Sequence, residues 1–92
     1  MLYELGCRYD ARASFYGKAQ VKETKILGEL IYDLYSYGTL VAKIIKSENK
    51  TTYKYYGKYS QTTTRHQKEF FKQFGLSDRE LKELWKNGVI EI

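Results

Sequence analysis

Few side chains in this sequence can carry out covalent chemistry. The chain has one histidine, His66, and one cysteine, Cys7. Nucleophilic catalysis would need the Cys7 thiol beside a base, yet the single imidazole lies far along the chain and no glycine-flanked elbow surrounds the cysteine. The plainer reading of Cys7 is a small apolar residue. One histidine and one cysteine cannot supply the clustered ligands of a metal centre, and the carboxylates are scattered. The seven glycines never fall into the spacing of a phosphate loop or a dinucleotide fingerprint. These patterns point to no catalytic residue, no metal and no cofactor. One enzymatic reading stays open, a metal-independent ribonuclease. In it His66, beside Arg65 and close to Tyr59 in sequence, would move protons and stabilise a phosphorane.

Binding chemistry is better represented. Ten tyrosines accompany four phenylalanines and one tryptophan, and the chain contains no proline. Tyrosine combines a flat apolar ring with a hydroxyl, which suits stacking platforms and interfaces. The formal charge is +5, and it is concentrated. Between Lys43 and Lys72 stand Lys43, Lys46, Lys50, Lys54, Lys58, Arg65, Lys68 and Lys72 against Glu48 and Glu69 alone, so the rest of the chain is close to neutral. Cations interleaved with tyrosines make the composition of a surface that neutralises phosphates and stacks on bases. The candidate binding residues are Tyr53, Lys54, Tyr55, Tyr56, Lys58 and Tyr59, continued by Arg65, His66 and Lys68, with Trp85 as a further aromatic anchor. The competing reading is a lysine-rich edge strand protected from mispairing.

The run Ser60-Gln61-Thr62-Thr63-Thr64-Arg65-His66 brings hydroxyls, the free amides of a helix start and an arginine to one place, where an anion is attracted. Alternatively one threonine caps the helix while Arg65 and His66 bond strand carbonyls.

The elements that must position these groups follow from periodicity. At 92 residues, 42% apolar and 29% charged, the chain reads as one globular domain spanning residues 1–92. No apolar run approaches the roughly 18 to 20 residues of a membrane span, and the start of the chain lacks a greasy core, so a cytoplasmic protein is expected. Phe15, Gly17, Ala19 and Val21 alternate with polar residues and predict a strand. Leu30–Tyr37 and Leu40–Ile45 predict a hairpin reversing at Gly38-Thr39, and Thr51–Tyr56 a further strand after Ser47–Lys50. Met1–Ser14 shows no pattern. A helix is predicted from about Arg65 to Phe74, with Thr62, Thr63 or Thr64 as its cap and Gly75 as its stop. Ser77 and Glu80 form a capping box for a second helix, whose apolar face is Leu81, Leu84 and Trp85 and whose end is Asn87-Gly88. The expected class is α+β: a three- to four-stranded antiparallel sheet followed by two C-terminal helices packed on one face through Phe70, Phe74, Leu81 and Trp85. The tail Val89–Ile92 would dock or pair as a strand, and an exposed edge leaves a homodimer open.

The blocks Ser14–Ala19 (SFYGKA), Leu34–Ala42 (LYSYGTLVA) and Tyr59–His66 (YSQTTTRH), followed by Phe70 and Gly75, resemble a family of short uncharacterised proteins encoded by bacteriophages and other mobile elements. The likeness runs from about Tyr9 to Gly75. It implies a phage accessory protein acting in a bacterial host, for which anti-defence work, anti-CRISPR inhibition above all, is the leading expectation. The partner would be a host defence effector or its nucleic acid. Direct RNA or DNA binding by an accessory protein is the alternative. This chain departs from the pattern at Leu27-Gly28-Glu29 and through the added helix after Ser77.

Overall fold

Six strands and two helices follow in the order β1 (Leu2–Glu4), β2 (Ala19–Ile26), β3 (Glu29–Ser36), β4 (Thr39–Lys46), β5 (Thr51–Tyr55), α1 (Gln61–Gln73), α2 (Asp78–Asn87) and β6 (Val89–Glu91). The structure is a computed structural model and describes every residue except Ala13, which belongs to the stretch read as unpatterned. All strands pair antiparallel in chain order, so the sheet is a meander completed by β6 on the far side of β5. The α+β class and the two C-terminal helices agree with the expectation. The strand number does not, because the sheet has six strands and not three or four.

The two strands beyond that number are the rims, each three residues long: β6 is the tail expected to dock or pair as a strand, whereas β1 lies in the stretch that shows no pattern and is too short to show a period. β2 is also displaced from its expected start. Phe15 to Lys18 is a turn closed by the Lys18 amide on the Phe15 carbonyl at 3.0 Å, and the strand continues through the polar run Lys22–Lys25.

Register places Val21, Leu34 and Ala42 in one row and Ile44, Tyr53 and Ile90 in another, all on the same face of the sheet. Both helices cover that face. Phe70, Phe71, Leu81 and Leu84 are buried against it, with Phe74 and Trp85 half-buried at its margin. Helices of 13 and 10 residues are too short to persist alone, so this burial, worth about 1.5–3 kcal/mol per large side chain, is what holds them.

A bulge adjusts the sheet to α1. Leu34 pairs with Ala42 but Tyr35 pairs with Leu40, which leaves Val41 as the extra residue. Both Val41 and Ala42 are consequently buried. Gln67 of α1 donates Nε2 to the Val41 carbonyl at 2.9 Å and to the Gly57 carbonyl at 3.1 Å, which ties the helix to the bulge and to the chain leaving β5.

Helix ends follow local chemistry. The cap of α1 is Ser60, in extended conformation, whose hydroxyl accepts the Thr63 amide at 3.1 Å. The helix therefore starts one turn earlier than the threonine run suggested. In α2 the Ser77–Glu80 capping box is formed as expected, and Gly88 adopts the left-handed conformation, φ 80°, that ends it. Among the described residues neither helix is long and apolar enough to cross a membrane.

Candidate polyanion-binding surface

The period of two in β5 divides the tyrosines from the lysines. Tyr53 is 6% exposed, faces the helices and donates its hydroxyl to the Phe74 carbonyl at 3.4 Å. Tyr55 packs on Trp85 with ring centroids 4.3 Å apart. Burial pushes both phenols above their ordinary pKa. Lys54, between them, belongs to the opposite face, opposite Lys43 and Val89 in register. The expectation that Tyr53, Lys54, Tyr55 and Trp85 share one working face is therefore corrected: two tyrosines and the tryptophan belong to the core or its margin, and Lys54 stands behind them.

His66 is corrected as well. It is 1% exposed, and its Nδ1 lies 2.8 Å from the Ser36 hydroxyl, which is 2.9 Å from that of Thr63. Phe15 meets the ring edge-on at 4.5 Å, and Tyr37 covers it at 5.7 Å. Burial above all, with the charge of Arg12 adding to it, holds the imidazole below its ordinary pKa. A neutral ring sealed beneath two aromatics does not have the access that the ribonuclease reading asks of it. The Cys7 thiol is pushed up, mainly by desolvation, and a protonated thiol is a poor nucleophile.

The remaining candidates gather where β5 passes into α1. Lys58, Gln61, Thr62, Thr64 and Arg65 line a shallow cleft of about 280 Å³ together with Arg12. Arg65 also lines the adjoining cleft of about 240 Å³ along α1, which is of mixed charge, with Lys68 and Lys72 beside Asp10 and Glu69. The first turn of α1 carries no acidic residue, in contrast to α2 with Asp78 and Glu80, so the positive end of its dipole is uncompensated. Arg65 is steadied by Asp10, Nε to Oδ2 3.3 Å, and Lys72 by Asp78 at 3.1 Å. Among the described residues Arg12, Lys58 and Lys68 form no ion pair. Tyr56 and Tyr59 are the two tyrosines of the proposed set that are exposed.

Glu69 positions the part of this surface contributed by the amino-terminal loop. Its buried carboxylate accepts the amides of Arg8 at 3.1 Å and of Tyr9 and Asp10 at 2.8 Å, plus Gln73 Nε2 at 2.6 Å. The Arg12 amide in turn bonds Asp10 Oδ1 at 2.9 Å. Arg12 thus reaches the start of α1 through a chain of bonds rooted in the helix. Sequence reasoning missed Arg12, because it lies in the stretch without periodicity and only a long-range contact delivers it. It also set the β3–β4 reversal one residue late, at Gly38-Thr39, where the turn is Tyr37-Gly38.

Residues 3–87 match the model of a family described as a family of unknown function (DUF8033). No curated protein and no solved structure matches the chain.

Proposed function

The chain belongs to that family of unknown function, and we propose that it is a small non-enzymatic binding protein that engages the phosphate backbone of a nucleic acid through the β5–α1 junction. One observation carries this reading: Arg12, Lys58 and Arg65, from separate parts of the chain, converge with the uncompensated start of α1 on a single cleft. Such a constellation neutralises phosphates without reading base sequence. The fit is with nucleic acid itself and not with mimicry of it, since a mimic seated in the basic channel of a nucleic-acid enzyme has to present negative charge. Fluorescence anisotropy with RNA and DNA oligonucleotides across a salt series tests it. Affinity should fall steeply with salt, each lost phosphate contact flattening the log–log slope by about one unit. Binding that is absent or independent of salt would refute it.

A second reading keeps the resemblance to phage proteins in view: inhibition of a host defence complex in the bacterial cytoplasm, anti-CRISPR-like, by docking on its protein surface. It is favoured by Leu27, which is 99% exposed at the tip of the β2–β3 hairpin, a place where an apolar side chain serves no fold. Target cleavage by a purified effector, unchanged by a molar excess of the protein, would speak against it.

A further inference from the structure

Tyrosines stand where turn chemistry asks for asparagine. Tyr16-Gly17 and Tyr37-Gly38 both have positive φ at each central residue, 54° and 75° in the first and 52° and 82° in the second. This is the mirror-image turn that prefers Asn-Gly, and it is unfavourable to a bulky side chain. The rings gain little burial in return, Tyr16 being 77% and Tyr37 58% exposed. The Tyr37 amide bonds the Lys18 carbonyl at 2.8 Å, so the two turns lie side by side. Between them is a recess of about 340 Å³ lined by Gly17, Lys18, Gln20, Tyr35, Tyr37 and Gly38. Gln20 and Tyr35, paired in register, place it on the sheet face turned away from the helices, and Tyr37, which lines it and also covers His66, the neighbour of Arg65, links it around the end of the sheet to the side of the cationic cleft.

We propose that this recess takes an unpaired nucleobase, which makes the surface a binder of single strands in preference to duplexes. The inference rests on the phosphate-binding reading above and adds the base to it. Tyr35 and Tyr37 supply rings for stacking, which tolerates any sequence because every base has a π-face. Lys18 provides a cation for the adjoining phosphate, and the Gln20 amide can both donate to and accept from a base edge. A base held in a duplex cannot reach such a recess without leaving its stack.

The test compares fluorescein-labelled oligo-dT, oligo-U and a DNA duplex, each of about twelve nucleotides, a span typical of small single-strand binders. The wild type should favour single strands by about tenfold. Tyr37→Asn, which installs the residue the turn prefers, should abolish that preference while keeping the salt slope and an equal or higher thermal midpoint. Tyr37→Trp should keep the preference and show indole quenching on saturation with oligo-dT, beyond any change the wild type shows through Trp85. Unchanged single-strand preference in Tyr37→Asn, equal binding of duplex by the wild type, or unquenched Tyr37→Trp each overturns the recess while salt-dependent binding keeps the phosphate reading. A lower midpoint in Tyr37→Asn that accompanies an unquenched Tyr37→Trp identifies Tyr37 as a cover for His66 and likewise overturns it. Lack of salt-dependent binding to any probe removes both.

Discussion

Nδ1 of His66 lies 2.8 Å from the hydroxyl of Ser36, inside the protein and across the gap between α1 and β3. Because the ring is held neutral, protonating it means charging a group that burial and Arg12 both disfavour. Its folded pKa is lower than its unfolded value of about 6.5, so the unfolded chain takes up the proton first. The stability this contributes is fully present above that value and is lost as pH falls through the folded one. Thermal midpoints should therefore decline from about pH 7.5 to about pH 5.5. His66 is the single histidine, so a His66→Gln variant, though less stable throughout, should be nearly flat over the same interval.

The Glu69 carboxylate makes a second prediction. Glu69→Ala leaves three loop amides without their acceptor, and urea denaturation should show a loss of about 2–4 kcal/mol. Glu69→Gln, which retains one oxygen, should fall between that variant and the wild type. Since the same bonds deliver Arg12, both variants should also weaken oligonucleotide binding while still folded.

Opposite faces of the sheet separate the cations. Arg12→Ala and Lys58→Ala should each weaken oligonucleotide binding and reduce its salt slope by about one unit. Lys54→Ala, on the face turned away from the helices, should leave both quantities at wild-type values. A Lys54→Ala effect equal to that of Lys58→Ala would show that the binding surface extends over the β4–β5 part of the outer face.

Leu27, φ 48°, can be replaced at no loss of burial. Leu27→Asn relieves the left-handed strain and should stabilise the fold by about 1 kcal/mol, or about 4–8 °C in Tm for a chain of this size. Calorimetry measures it. If Leu27 is an anchor for a protein partner, the same substitution raises Tm and abolishes capture.

Much of the fold was legible in the sequence because its signals are local. The Ser77–Glu80 box, the Phe70 and Leu81 stripes and the β3–β4 hairpin depend on neighbours within one turn or one reversal. What escaped depends on distance. β1 is a strand only because β2 offers it a partner, the polar half of β2 is held in the sheet by β3, and the expected pairing of the Val89–Ile92 tail had no partner assigned to it until β5 supplied one. The candidate surface was legible in part: Lys58, Arg65 and Lys68 stay together, whereas composition alone could not say that Tyr53 and Tyr55 turn inward. Alternation along a strand already held that answer, since Lys54 cannot share a face with its two neighbours.

The order of pairing in the sheet also has a kinetic meaning. From β3 to β5 each strand meets the one just before it through a short reversal, so loop closure is quick and the central meander can zip up by successive hairpins. β6 is different, for it reaches β5 only across both helices, the widest separation of any strand pair. That rim should be the last to assemble and the first to fray, so amide protons of Val89–Glu91 should exchange well ahead of those in β3 and β4.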